Sequence, residues 1–136
     1  MNDWDREVFA RTIWMEARGE SNEGKRCVAH AIWNRYRSKK YGDAPTIAGV
    51  CMFDQQFSCW NAAKDDHNRE TMNSLYYFDP VLEVCRVIVK AVEQGEHDPV
   101  KGARHYYSID IPAPKWVSKG VFVVQEGKHR FYKDVP

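Results

Sequence analysis

The stretch Asp5-Arg-Glu-Val8-Phe9-Ala10-Arg11-Thr-Ile13-Trp14-Met-Glu16-Ala17-Arg18-Gly19 sets Val8, Phe9, Ile13, Trp14 and Ala17 at helical spacing and then meets a helix-ending glycine. It predicts a helix from Asp5 to Arg18 with one wet side. Glu16 follows Ile13 by three residues and Phe9 by seven, so its carboxyl lies at the edge of the buried face. A carboxyl there is partly desolvated, which favours its neutral form. A glutamic acid still protonated near neutral pH is what glycosidic cleavage requires, because the leaving oxygen must gain a proton as the bond breaks. From spacing alone the commoner outcome for such a carboxylate is the other one: Glu16 pairs with Arg18, Arg11 or a distant Lys and merely solvates the helix end.

Outward from this helix, Ser21 or Asn22 can cap a second one running to about Arg37, with Glu23 in its first turn and Val28, Ala31, Ile32 and Tyr36 as its buried stripe. A short helical turn is expected from Pro45 to Met52, and the polar stretch Asn61 to Ser74 reads as an exposed loop. Asp79 as cap, Pro80 at the first helical position and Gly95 beyond the end frame a third long helix. Val81, Val84, Cys85, Ile88 and Val92 form its apolar stripe. After Asp98-Pro99 the runs become short and β-prone: Ala103 to Tyr107, then Val121 to Val124 and Lys128 to Tyr132 joined by a turn at Gln125-Glu126-Gly127. The fold class is therefore α+β, mainly helical, with a small β-hairpin region near the C-terminus.

All of this belongs to one domain, residues 1–136, long enough to remove roughly two-thirds of its unfolded surface from water. Lys and Arg total 20 against 19 Asp and Glu, a formal charge of +1. That balance speaks against non-specific nucleic-acid binding, which needs an excess of cations facing phosphates. No stretch approaches the roughly 18 apolar residues of a membrane span. The charged start Asp3, Asp5, Arg6, Glu7 is unlike a secretory signal, so synthesis in the cytoplasm is expected. Cys27, Cys51, Cys59 and Cys85 are then expected to be reduced, packed thiols. Aromatics make up 13% of the chain, enough both to fill a core and to offer platforms for sugar rings.

Other candidates are weaker. Glu20 and Glu23 lie between the first two helices, and either can supply a second carboxylate, although Glu23 also suits a helix N-terminus. The segment Gln55-Gln56-Phe57-Ser58-Cys59-Trp60-Asn61 mixes amides, a hydroxyl and aromatics. It suits sugar hydroxyls and ring faces, and equally a loop that tucks Phe57 and Trp60 into the core. Strand alternation sends Tyr106 and Tyr107 to opposite faces, so one of them at most enters a given cleft. The histidines show no His-x-x-x-His spacing and the cysteines no Cys-x-x-Cys pair; Cys51, Cys59 and His67 are wrongly spaced for zinc. No metal or other cofactor is expected, and no glycine-rich phosphate loop is present.

The run Ala10-Arg-Thr-Ile-Trp-Met-Glu16-Ala17-Arg18-Gly19-Glu20, with Glu23-Gly24 to Val28-Ala29 and Asn34-Arg35, resembles the catalytic domain of the spore cortex-lytic and cell wall hydrolase family. Further blocks follow in the family's order: Pro45 to Val50, Gln56-Phe57-Ser58, Asp98-Pro99 to Tyr106-Tyr107, Lys115-Trp116, and Gly127 to Tyr132. The resemblance implies a lysozyme-like fold and cleavage of the β-1,4 bond between N-acetylmuramic acid and N-acetylglucosamine in peptidoglycan. It implies that Glu16 is the catalytic acid, and it suggests lytic transglycosylase chemistry giving 1,6-anhydro ends. Hydrolysis with Glu20 or Glu23 holding a water is the alternative, and a non-catalytic glycan-binding module a third.

Glu20, Gln56, Phe57, Ser58 and Tyr106 are the expected substrate contacts, with Trp60 and Trp116 as further sugar platforms. Where the family typically shows Tyr-Tyr-Phe-Asn-Pro, this chain has His105-Tyr106-Tyr107-Ser108-Ile109, so a role for that asparagine does not transfer. Glycan strands are the expected partner of a monomer that binds neither nucleic acid nor membrane. By analogy with phage or prophage endolysins, action on the wall follows release from the cytoplasm.

Overall fold

The computed structural model describes residues 1–40, 46–53, 75 and 77–136. Its elements are α1 (Asp3–Ala17), α2 (Asn22–Ser38), α3 (Ile47–Met52), α4 (Pro80–Glu93), β1 (His105–Ser108), a 3₁₀ helix (Lys115–Lys119), β2 (Val121–Glu126) and β3 (His129–Lys133). Among the described residues no helix is long and apolar enough to cross a membrane.

Helix α1 is the centre of the body, packed against α2, α3 and α4. Its start is set by a capping box in which the Asn2 side chain accepts from the Asp5 N–H at 2.8 Å and the Asp5 carboxylate faces the Asn2 N–H. Asp5 also accepts the Ala48 N–H at 3.2 Å, which ties α1 to α3. Val8, Phe9, Ala10, Thr12, Ile13, Trp14 and Ala17 are all buried. Each large one stabilises the fold by about 1.5–3 kcal/mol relative to exposure. The wet side is thus narrower than a simple stripe suggests, because three helices rather than one cover α1.

Helix α2 is capped by Ser21, whose hydroxyl accepts the Gly24 N–H at 3.1 Å. It buries Val28, Ala31 and Ile32 as its pattern predicts, and also Lys25, His30 and Arg35, which the pattern does not mark. These polar groups are compensated: Lys25 donates to the Glu20 carbonyl, His30 Nε2 lies 2.9 Å from Glu96, and Arg35 Nε donates to the Arg104 carbonyl at 2.6 Å. In α4 the Asp79 carboxylate accepts the N–H groups of Val81 and Leu82, a cap that contributes about 1 kcal/mol. The buried stripe there is Leu82, Cys85, Ile88, Val89 and Val92, with Val81 and Val84 at its margin. Cys27, Cys51 and Cys85 are buried free thiols, and burial pushes each up to about 12. Pro45, Cys59 and the expected loop Asn61 to Ser74 lie outside the described residues.

The predicted hairpin is present as β2 and β3, joined by a two-residue turn at Gly127 and Lys128, with Gly127 at φ 57. The β1 strand adds to the other side of β3, giving the antiparallel order β1-β3-β2. Register places Tyr106 opposite Phe131 and Tyr107 opposite Arg130. Tyr106, His129 and Phe131 therefore share the inner face, while His105, Tyr107 and Tyr132 share the outer one. Trp116 packs on that outer face, 6.1 Å from Tyr107 and 5.4 Å from Tyr132 between ring centres.

Candidate active site

The site is built where the last turn of α1 meets the inner face of the sheet. Glu16 keeps part of its surface open, while its carboxyl is surrounded by protein. Burial raises its pKa above the ordinary carboxylate value, and this outweighs the opposing pull of the Tyr106 hydroxyl and the Arg35 charge. Its place at the carbonyl end of a helix acts in the same direction as burial.

The Tyr106 hydroxyl donates to Glu16 Oε1 at 2.7 Å. Because Tyr106 is anchored in β1 and packed against the rings of His129 and Phe131, with ring centres 5.2 and 5.5 Å away, this contact is fixed by the sheet rather than by a loop. Arg35 approaches from α2, almost wholly buried at 8% exposure. Cys51 approaches from α3, with a thiol that stays neutral. The arrangement gives a carboxyl whose neutral form is favoured by burial and whose Oε1 is held by Tyr106, with a nearby cation that eases the carboxylate once the proton has left.

The arginines that offered a bland account of Glu16 are engaged elsewhere. Arg11 pairs with Glu7 at 3.0 Å, and the Arg18 guanidinium stacks over Trp14 at 4.7 Å. Glu23 pairs with Arg26. Glu20 turns its carboxylate to the hairpin: Oε1 accepts the Lys128 N–H at 3.0 Å and stands 3.1 Å from His129 Nδ1, close but not aligned as a hydrogen bond. Burial lowers the His129 pKa despite that carboxylate, so the ring is neutral at neutral pH.

Of the residues marked in the sequence, the structure brings Glu16 and Tyr106 into contact and sets Glu20 one step away, against the turn. Gln56, Phe57, Ser58 and Trp60 lie outside the described residues. Trp116 is on the sheet face opposite Tyr106. Arg35 and His129 were quoted in motifs without a role; a buried arginine inside an apolar helical stripe is the signal that could have marked the first. A cavity of about 930 Å³ lies elsewhere, lined by Trp4, Glu7, Tyr77, Arg86 and Glu93 among others. Two of its carboxylates are ion-paired and held low, Glu7 by Arg86 and Glu93 by Arg6, which suits neither to act as an acid catalyst. Among the described residues no three His, Cys, Asp or Glu side chains gather as a metal site.

A sequence profile for the family described as Cell Wall Hydrolase matches residues 19–132. Curated relatives include spore cortex-lytic enzymes of Oceanobacillus iheyensis and Halalkalibacterium halodurans, each 26% identical over 95% and 96% of this chain. The chain spans 41% and 35% of the length of those proteins. Among solved structures, the catalytic domain of the germination-specific lytic transglycosylase SleB from Bacillus anthracis superposes with a TM-score of 0.73 at 26% identity, covering 98% of this chain and 97% of that one. The catalytic domain of the Bacillus cereus SleB protein shares the fold, with a TM-score of 0.72 at 23% identity, over 98% and 92% of the two chains. The lysozyme-like expectation thus resolves into the SleB catalytic fold, mostly helical with a small three-stranded antiparallel sheet, and the profile match across most of its length makes this chain a member of the cell wall hydrolase family.

Proposed function

We propose that this chain is a peptidoglycan glycosidase that cleaves the β-1,4 bond between N-acetylmuramic acid and N-acetylglucosamine as a lytic transglycosylase. The observation that carries the reading is Glu16, a carboxyl whose pKa burial raises and which the Tyr106 hydroxyl orients. Glu16 gives its proton to the glycosidic oxygen as the bond from that oxygen to the muramyl anomeric carbon breaks. The resulting carboxylate is eased by Arg35 and by the Tyr106 hydrogen bond. It then takes the proton of the muramyl C6 hydroxyl, whose oxygen closes on the anomeric carbon and forms the 1,6-anhydro ring. Glu16 ends protonated, ready for the next bond.

This route needs no second carboxylate to hold a water, which accords with Glu20 being engaged by the hairpin turn. Tyr106 serves as the residue that orients the acid, while Gln56, Phe57 and Ser58 are assigned to the sugar cleft on their motif alone. The SleB relative from Bacillus anthracis is described as a lytic transglycosylase, which supports the same chemistry here. The cell wall is then the place of action.

Mass spectrometry of digested peptidoglycan tests the proposal. Anhydro-muramyl ends are expected. Reducing muramic ends would replace transglycosylation by hydrolysis, and freed stem peptides with intact glycan would overturn glycosidic cleavage altogether.

A further inference from the structure

We propose that Glu20 is a positioning residue: its carboxylate clasps the Gly127–Lys128 turn and, through His129 and Tyr106, holds the hydroxyl that is hydrogen-bonded to Glu16. This rests on the role proposed for Glu16. Glu20 is fixed at its base, since its N–H donates to the Ala17 carbonyl at 2.9 Å and its own carbonyl accepts Lys25 Nζ. It is fixed at its tip by the Lys128 N–H at 3.0 Å. The tip also approaches the turn too closely for any side chain, because a Cβ on Gly127 would stand 2.2 Å from Glu20 Oε2. The side chain is 13% exposed, so it spans from the α1–α2 junction to the sheet with little freedom to swing into solvent.

What the clasp holds follows from the register. Lys128 is followed by His129, the first residue of β3, paired with Ser108 of β1. Tyr106 is paired with Phe131, two residues further along β3, so His129 is its diagonal neighbour on the same face. The two rings meet edge to face, 5.2 Å apart at 78°. Releasing the turn loosens His129, then the ring of Tyr106, then its hydroxyl on Glu16. A sugar ligand or a water-holding base would need its oxygens turned to substrate, whereas both Glu20 oxygens lie against the hairpin. Among the described residues, the groups that act on Glu16 include Tyr106 from β1, Arg35 from α2 and Cys51 from α3. Glu20 is not among them and acts through the strands.

The test compares Glu20→Ala, Glu20→Gln and Glu16→Gln in the full chain, following release of soluble fragments from purified peptidoglycan across pH and substrate concentration. Glu20→Ala is expected to lower kcat about tenfold with KM unchanged, as a small misplacement of an acid does. Its alkaline limb should move to higher pH, because the loosened Tyr106 hydroxyl no longer favours the Glu16 carboxylate. Glu20→Gln keeps a carbonyl for the Lys128 N–H, so it should restore kcat to within about threefold of the parent and leave the limb in place.

A Gln variant as impaired as the Ala variant overturns the proposal in favour of a base. A raised KM at constant kcat overturns it in favour of a sugar contact. A limb moved to lower pH in both variants overturns it in favour of a charge acting through space. If Glu20→Ala does not fold, Glu20→Gln alone decides by the same threefold criterion. Wild-type rates in Glu16→Gln would instead sink the reading of Glu16, a separate outcome.

Discussion

Glu7 and Glu16 stand on the same helix, nine residues and about two and a half turns apart, so they face opposite sides of it. On one side Glu7 is gripped by two guanidiniums, Arg86 at 2.8 Å and Arg11 at 3.0 Å, and hydrogen bonding to Arg86 draws its pKa below the ordinary value. On the other, burial drives Glu16 the opposite way. Sequence distance, residue type and helix are shared; the neighbours supplied by α4 and by the sheet are not. A helix in the middle of a small body can therefore carry a structural carboxylate on one face and an acid on the other.

The largest effect that can break this contrast is on rate. Glu16→Gln should lose at least about 10²-fold in peptidoglycan cleavage, while Glu7→Gln should stay within about twofold in kcat and instead lose about 1 kcal/mol in urea unfolding. Equal loss in both variants would reduce the activity difference to folding. Next in size, Tyr106→Phe should cost about tenfold in kcat and shift the alkaline limb of the rate profile upward, since the bond that favours the Glu16 carboxylate is gone.

Stability against pH sharpens the same comparison because the two signs differ. Glu7, held low, contributes stability that is present above its unfolded pKa near 4.5 and is lost as pH falls through its folded value. Glu16, held high, binds its proton more tightly when folded, so its contribution is greatest at acid pH and declines as pH rises from 4.5 through its folded value. Glu16→Gln should therefore raise the neutral-pH unfolding midpoint relative to the parent, with the gain vanishing in acid. A gain that persists in acid would contradict the sign. A last effect, on stability alone, is expected at Gly127. Its φ of 57 and the closeness of Glu20 make Gly127→Ala costly by about 1–2 kcal/mol in the same unfolding measurement.

What was legible in the sequence were the features written locally. The Asp79-Pro80 start of α4 and the Gly127 turn are properties of adjacent residues, and the spacing of Glu16 from Phe9 and Ile13 marked its desolvation. The pairing of β1 with β3 was not legible, because His105–Ser108 offers too short a run to choose a partner. Nor was the role of Arg35, whose guanidinium meets the Arg104 carbonyl across 69 residues. Glu20 shows the same limit from the other side: read alone it is a loop acid available to substrate, and only its bond to Lys128, 108 residues away, reveals the clasp. The family motif gathers these residues without saying which of them touch.

The central claim is that burial raises the pKa of Glu16 where the arginine contacts lower that of Glu7. Carboxyl-carbon NMR titration of the ¹³C-labelled protein, with Glu16→Gln and Glu7→Gln to assign the two signals, measures it directly. The Glu16 signal should titrate above 4.5 and the Glu7 signal below it. A Glu16 carboxyl titrating at or below 4.5 would contradict the account.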